Sequence, residues 1–515
     1  MFGARDSRWT LPALALLAAF APALAAADPS ARGEREAWGE RYEAPLARRA
    51  RPEGPRPGGG PAHWIRHWNG IAVDASGLDH APVAIGETRV FGEQLGPGRA
   101  SRALAIVHVA MFDALVAIDG GYQSYTRLPR ARAGTSVRAA LAQSAHDTLF
   151  ALFPSQAAAF DAELEAELRR IPHGRARSEG ILLGRRAAAA ILALRADDGS
   201  QHPEPLVDVD WPTSPEPGRW RQDPISRIPL ALGARWGEVR PFVLASAHQF
   251  RVPPPPALDS PEYAAAFDEV QRLGGDGTTT PTERSAEATF AGIYWAYDGT
   301  PSLCAPPRLY NQIALVIADR MRSDAIETAR LLALVNVAMA DAGIAIWESK
   351  YHYDVWRPVT AIREADPGSG PTGAGDGNPE TRGDPTFSPL GAPASNLTGP
   401  NFTPPFPAYP SGHAGFGGAL FQTLRRAYGR DDIAFTFVSD EWNGETLDNA
   451  GHVRPLVPRS FRSLSEAEEE NGQSRIWLGI HFRFDKTEGI AQGRAVADYV
   501  FDRAFRPLRP EHPRR

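Results

Sequence analysis

The stretch SRALAIVHVAMFDALVAI, residues 101–118, indicates the fold class. Its apolar residues recur three and four positions apart, which is the spacing of one face of an α-helix. Three stretches that follow, 136–153, 155–171 and 177–199, repeat this spacing and are rich in alanine and leucine, which favour helix. Alternation with the period of a β-strand is scarce, so the sequence predicts an all-α protein.

A second group of helical stretches follows a proline- and tryptophan-rich segment at 201–257. Its members are 262–273, 284–297, Asp324 to about Trp356, 411–428 and 486–505. We therefore expect two helical units, 63–257 and 258–510. The glycine- and proline-rich segment 366–405 is far longer than an ordinary connection and is expected to be a functional lid or a decorated surface loop.

The N-terminus resembles a secretory signal peptide. Arg5 and Arg8 precede an apolar run that ends in small residues, and the run is too short for a membrane span. We expect residues 1–25 to be removed, leaving a secreted or periplasmic chain without a membrane span. Residues 26–62 are polar and broken by glycine and proline, which predicts a flexible arm.

The composition argues against binding to nucleic acid or to an anionic membrane, and it excludes an intramolecular disulfide. The 515 residues are 43% apolar and 23% charged, as in an ordinary globular protein. The formal net charge of −6 gives no basis for binding nucleic acid or an anionic membrane, both of which need clustered positive charge. Cys304 is the one cysteine, so no intramolecular disulfide forms.

A first polar motif lies at the end of the longest predicted helix. Lys350 and Arg357 are seven residues, about two helical turns, apart and are expected to share one face. Pro358 disfavours helix in the residue before it and predicts the helix end near Arg357. Taken alone, the pair also fits a solvated charged face.

A second motif is PPFPAYPSGHAGFGGALF, residues 404–421. Ser411 occupies a predicted N-cap, which leaves the next backbone N–H groups free for an anion, and Gly412 allows close approach. His413 is near enough to exchange a proton with a ligand at this helix end. A capped helix with an incidental histidine is the alternative.

A third motif contains Arg475, His481 and Asp485. Asp485 is placed to accept the N–H of one ring nitrogen of His481 and to leave the other nitrogen free as a nucleophile or ligand. For Arg475 and His481 to reach one centre the segment must bend, and Gly479 permits a bend. A structural salt-bridge network is the alternative.

The three motifs together favour a shared anion site. Two arginines, a lysine, a helix N-terminus and two histidines supply more donors than a core buries without a ligand, because unpaired buried charge is costly. Guanidinium groups bind oxyanions through paired N–H groups, and a histidine serves as acid or base. A tetrahedral oxyanion fits this set.

The order Lys-x6-Arg-Pro, Pro-Ser-Gly-His and Ser-Arg-x5-His-x3-Asp resembles the signature of the type 2 phosphatidic acid phosphatase superfamily. Within it, the sequence is most similar to the vanadium-dependent haloperoxidases of fungal chloroperoxidase type. The stretches IYWAYDGTP and PPRLYNQIA, together with Trp347 and Phe406, carry that closer resemblance. The similarity is convincing over about residues 285–505.

The resemblance implies a pair of four-helix bundles with long proline- and glycine-rich loops, and vanadate as the cofactor, with phosphate able to occupy the same site. It implies that His481 binds the metal and that Trp347 and Phe406 form an apolar halide pocket. His413 is implied as the acid or base, Lys350 as an activating group, Asp298 as the partner of Arg475, and Asp485 as the support of His481. The residues implied to bind the vanadate oxygens are Lys350, Arg357, Ser411, Gly412 and Arg475.

The implied reaction is the oxidation of chloride or bromide by hydrogen peroxide to hypohalous acid, which then halogenates small organic acceptors. Two alternatives stay open at this stage. In the first alternative, the protein is a secreted acid phosphatase that uses the same oxyanion site and forms a phosphohistidine intermediate. In the second, it is a non-catalytic protein that binds an oxyanion at this site.

Overall fold

The structure is a computed structural model that describes residues 37–43, 59–83 and 87–508. The predicted signal peptide, residues 1–25, lies outside the described residues, as does most of the predicted arm. Within that arm, Ala37 and Trp38 form a short helical piece and Glu43 pairs with Thr398, so this part is packed against the body.

The described residues are mostly helical, which confirms the all-α prediction. The first predicted unit, together with the two residues before it, contains α1 (Pro61–Asp79), α2 (Gly96–Asp119), α3 (Val137–Leu152), α4 (Ala157–Arg169) and α5 (Arg175–Arg195). The second contains α6 (Pro261–Gly274), α7 (Ala286–Tyr294), α8 (Pro307–Arg320), α9 (Ala325–Tyr353), α10 (Pro358–Arg363), α11 (Gly412–Tyr428), α12 (Leu464–Trp477) and α13 (Arg483–Arg503). A small antiparallel pair, β1 (Phe435–Phe437) and β2 (Arg459–Phe461), lies between α11 and α12.

The helix α9 runs through the centre of the molecule. It begins at a capping box in which the Asp324 carboxylate accepts the Glu327 N–H and the Glu327 carboxylate accepts the Asp324 N–H. Both α2 and α9 are long and apolar enough to cross a membrane, but the most apolar window of each is 94% buried within the protein. Such burial is typical of helices that form the core of a protein.

One apolar core contains residues from both predicted units, including Leu104 and Phe112 of α2 and Leu332 and Ile346 of α9. The pairing of four-helix bundles fits this arrangement, since each bundle contributes helices to the shared interior. The boundary predicted at residues 257–258 stays a prediction.

Glycines allow α11 and α13 to lie in close contact. A Cβ atom on Gly493 would lie 2.0 Å from the carbonyl oxygen of Gly415, and one on Gly489 would lie 2.7 Å from that of Ser411. Real Cβ atoms do not come this close to backbone oxygens. The contact therefore fixes the beginning of α11, where Ser411 and His413 lie.

We predict that Gly493→Ala lowers the free energy of unfolding by about 1–3 kcal/mol or more, because the added methyl group must push α11 away from α13. The control is Gly70→Ala within α1, where a Cβ meets no atom within 4 Å. Alanine there is expected to leave stability unchanged or to raise it by up to about 1 kcal/mol. Denaturant unfolding of both variants measures the difference, and equal stabilities would contradict the close-contact argument.

Candidate functional site

Residues of the second and third motifs line one cavity of about 60 Å³, and Lys350 and Arg357 of the first motif lie behind its wall, against Phe406 and His481. Its walls include Gly412 and His413 from the start of α11, Arg475 from the end of α12, and His481 from the loop that follows. Asp298, Trp347 and Phe406 also line it. Stretches separated by more than a hundred residues along the chain therefore converge, as the sequence motifs predicted.

Lys350 and Arg357 converge by a different route from the one predicted. The helix α9 ends at Tyr353, and Asp354 adopts a left-handed conformation with φ of 56° while its N–H bonds to the Lys350 carbonyl. Arg357 is then the extended residue before α10, which begins at Pro358. The prediction that Lys350 and Arg357 share one helix face was wrong. The helix ends at Tyr353, four residues before Arg357, the residue that Pro358 restricts.

Backbone carbonyls hold both of these buried cations. The Lys350 ammonium donates to the carbonyls of Pro407 and Ala408 at 2.6 and 2.9 Å. The Arg357 guanidinium donates from Nε to the Phe406 carbonyl at 2.8 Å and from Nη2 to the Pro404 carbonyl at 3.2 Å. The loop 404–408 thus meets the cations with acceptors, and its prolines add no competing N–H donors.

Arg475 is fully buried and only partly paired. Its Nη2 donates to Asp298 Oδ1 at 2.6 Å, which places the pair as the resemblance implied. Its Nε and Nη1 have no hydrogen-bond partner among the described residues. Because Arg475 lines the cavity and a buried unpartnered guanidinium is costly, these nitrogens fit the oxygens of an anion.

His481 lines the same cavity and keeps one of its ring nitrogens unprotonated. Gly479, with φ of 73°, turns the chain after α12, so His481 lies in the loop ahead of α13. Its Nδ1 is 2.8 Å from Asp485 Oδ2, an oxygen that also accepts the Phe482 N–H. The acidic partner fixes Nδ1 as the donor, so Nε2 keeps its lone pair, 3.0 Å from Arg357 Nη1.

Ser411 and Gly412 form the helix end that the sequence predicted. The Ser411 hydroxyl caps α11 by accepting the Ala414 N–H at 3.4 Å. The N–H groups of the first turn have no partner within a helix, so those of Gly412 and His413 are free for a ligand. A Cβ on Gly412 would lie 3.3 Å from the Trp347 ring, which leaves little room for a larger residue.

His413 is positioned to exchange a proton through Nδ1. Its Nε2 bonds to the Ala296 carbonyl, which only accepts, so Nε2 carries the hydrogen. Its Nδ1 lies 3.9 Å from Asp298 Oδ1. The backbone carbonyl of His413 accepts from Tyr310 and Asn471, which holds the residue in place.

An aromatic surface lies beside the cationic groups. The Trp347 and Phe406 rings have centroids 5.0 Å apart, and the Lys350 ammonium lies 5.0 Å from the Phe406 centroid. The Trp347 indole N–H donates to the Leu232 carbonyl at 3.0 Å, so its polar edge is satisfied. The side of the cavity that these rings form is apolar.

The site has an excess of positive charge. Among the described residues, Asp298 and Asp485 are the carboxylates that lie nearest to Lys350, Arg357 and Arg475, and burial raises the pKa of both carboxyls, that of Asp485 to about 7. Burial, followed by the charge of Arg357, lowers the pKa of Lys350 well below its usual range. Burial, followed by the nearby cations, lowers the pKa of His413 and of His481 well below the usual range for histidine. An anion would offset this charge and raise the pKa of His413, which favours its use as a proton carrier.

Sequence reasoning missed several parts of the site. The carbonyls of Ala296 and of the loop 404–408 have no signature in a sequence, because every residue carries one. Ala37 and Trp38, from the predicted flexible arm, also line the cavity. The tryptophan was the available signal, since a large aromatic residue in an otherwise polar stretch indicates a packing contact.

We predict that inorganic phosphate, a tetrahedral oxyanion, binds this site and raises the melting temperature of the protein. Arg475→Met should weaken phosphate binding by about tenfold or more, because charge-assisted hydrogen bonds contribute about 1.5–3 kcal/mol each. The control is Arg462→Met, since the Arg462 side chain is 92% exposed. Calorimetric titration with phosphate measures both, and equal affinities would exclude Arg475 from the site.

Comparison with known proteins agrees with this geometry. The family model described as the VCPO second helical-bundle domain matches residues 330–510. The vanadium chloroperoxidase of Curvularia inaequalis is 32% identical over 508 residues, which covers 82% of this chain and 79% of that protein.

Two solved structures share the fold. A bacterial vanadium-dependent iodoperoxidase, 24% identical, matches with a TM-score of 0.66 over 86% of this chain and 97% of its own. An apo-type bacterial vanadium-dependent chloroperoxidase, 18% identical, matches with a TM-score of 0.59 over 79% of this chain and 94% of its own. Sequence identity, the matched domain and the shared fold lead to one conclusion: the chain belongs to the vanadium-dependent haloperoxidase family.

Proposed function

We propose that this protein binds vanadate and uses hydrogen peroxide to oxidise chloride or bromide to hypohalous acid, which halogenates small organic acceptors. The observation that carries the proposal is that one cavity is lined both by Arg475, with two unpartnered nitrogens, and by His481, whose unprotonated Nε2 accepts a hydrogen bond from Arg357 Nη1. The similarity to the Curvularia vanadium chloroperoxidase supports the cofactor and the halide. The residues therefore fit vanadate in both charge and donor type.

His481 would bind the metal through Nε2, because Asp485 holds the opposite nitrogen as a donor. Arg475 and Arg357 would donate to the vanadate oxygens, joined by Lys350, by the Ser411 hydroxyl and by the free N–H groups at Gly412. When bound, vanadate supplies a Lewis-acid centre that makes peroxide oxygen electrophilic without a change in metal oxidation state. The protein contributes charge, orientation and exclusion of water.

His413 would take the proton that peroxide loses on binding and return it later. The hydrogen bond from Nε2 to the Ala296 carbonyl keeps Nδ1 as the exchanging atom. Asp298 stabilises the protonated ring and at the same time orients Arg475. The protonated His413 ring would thus be balanced by the negative charge of Asp298.

The halide would approach along the aromatic surface of Trp347 and Phe406. Apolar rings strip water from a halide ion, which makes it more reactive, and Lys350 lies close enough to Phe406 to attract the anion. Chloride and bromide differ in the energy needed for that dehydration. Secretion through the N-terminal signal peptide is part of the same proposal.

Halogenation of a diketone tests the proposed function, using purified protein with orthovanadate, hydrogen peroxide and chloride or bromide. We expect activity that depends on vanadate and is abolished in His481→Ala, because the metal loses its protein ligand. The control is His452→Ala, whose side chain is 81% exposed. Hydrolysis of a phosphate ester that vanadate inhibits, without halogenation, would instead identify a phosphatase, and neither activity would indicate an oxyanion binder.

We predict that His413→Ala lowers the turnover number by about 10²–10⁴-fold, the usual contribution of an acid or base. Vanadate should still bind, because the cations and His481 remain. Equilibrium dialysis against vanadate and steady-state kinetics on the same preparation separate the two effects. Loss of vanadate binding that accounts for the lost activity would contradict the proton-transfer role.

A further inference from the structure

A short segment from the predicted N-terminal arm supplies part of the apolar lining of the cavity. This strap, residues Ala37–Glu43, brings Ala37 and Trp38 to the wall of the same cavity that Arg475 and His481 line. Trp38 is 8% exposed and Tyr42 is 8% exposed, so the strap is packed and not loosely attached.

Hydrogen bonds to two separate loops fasten the strap. The backbones of Glu43 and Thr398 exchange N–H to carbonyl bonds of 3.2 and 2.6 Å, and the Tyr42 hydroxyl donates to the Pro400 carbonyl at 2.9 Å. On the other side, the Arg41 guanidinium donates to the Ile225 carbonyl. The strap therefore bridges the loops around residues 225 and 400.

A tight turn brings Trp38 against these loops. Gly39 has φ of 82°, which a side chain disfavours, and a Cβ there would lie 3.3 Å from the Arg227 carbonyl. The Trp38 ring then packs edge-on against Phe91, with centroids 4.9 Å apart. The turn at Gly39 and the contact with Phe91 together fix the position of the Trp38 ring.

Trp38 belongs to an apolar cluster that contributes to the lining of the cavity. Ile228, Leu230 and Phe402 are in the same cluster and line the same cavity. The cavity lining therefore combines charged donors for an oxyanion with apolar side chains, some of which the strap supplies. Excluding water from such a site strengthens its electrostatic interactions.

We propose that Trp38 is a specificity-determining residue, which limits the cavity to small reactants such as peroxide and halide by filling the space beside the oxyanion site. The inference rests on the proposed oxyanion site and adds a size limit that the strap sets. Removing the indole leaves an apolar void in the wall of the cavity that Arg475 and His481 also line. Voids of this type bind small aromatic groups.

The test compares inorganic phosphate with phenylphosphonate, two tetrahedral oxyanions that differ by an aromatic ring. Calorimetric titration of the full chain without vanadate gives both dissociation constants. We expect the wild-type protein to prefer phosphate and Trp38→Ala to reduce that preference by about tenfold or more, because the ring enters the vacated space. In the vanadate-loaded enzyme, the ratio of kcat/KM for tert-butyl hydroperoxide to that for hydrogen peroxide should rise in the same variant.

Trp64→Ala is the matched control, since Trp64 is half-buried and lies over Arg138, away from the cavity. Trp38→Leu is a milder variant that carries the same test should alanine prevent folding, with a smaller change in preference expected. Unchanged preference in the Trp38 variants, or an equal change in Trp64→Ala, would overturn the proposal. Failure of wild-type protein to bind phosphate would overturn the oxyanion site and the role of Trp38 with it, whereas intact phosphate binding with unchanged preference overturns the role of Trp38 alone.

Discussion

The structure depends on burying three basic side chains around one cavity: Arg475 lines it, and Lys350 and Arg357 lie behind the Phe406 ring that forms part of its wall. Charge removed from water costs several kcal/mol per ion unless acceptors replace the lost hydration. Here backbone carbonyls receive Lys350 and Arg357, and Asp298 receives one end of Arg475. Arg475, which lines the cavity, keeps its Nε and Nη1 without a partner among the described residues. These two donors favour an anion as the ligand of the site.

Helix packing keeps this arrangement rigid. The beginning of α11 is fixed by its close contact with α13, while Tyr310 and Asn471 hold the His413 carbonyl. Hydrogen bonds from Lys350 and Arg357 to its carbonyls hold the loop 404–408 in place. The anion site is therefore set by the same contacts that stabilise the fold, and binding an anion requires little reorganisation of the protein.

The residues of the site were predictable where side-chain type carries the chemistry. Cationic groups, a capping serine and two histidines have recognisable signatures, and the need for a bend at Gly479 followed from helix geometry. The path from Lys350 to Arg357 was predicted wrongly, because a left-handed residue such as Asp354 ends a helix without a strong local signal. The carbonyl acceptors and the packing of Trp38 depend on contacts between distant segments, which one sequence does not display.

The loop 404–408 divides two tasks between its backbone and its side chains. Its carbonyls hold Lys350 and Arg357, and every residue type supplies a carbonyl as long as the backbone keeps its course. The Phe406 side chain, by contrast, faces the cavity. A different side chain at position 406 would therefore reshape the cavity wall and remove the ring that lies over Lys350 and Arg357, while the carbonyl acceptors stayed in place. The lining of the cavity can thus diverge on an inherited backbone.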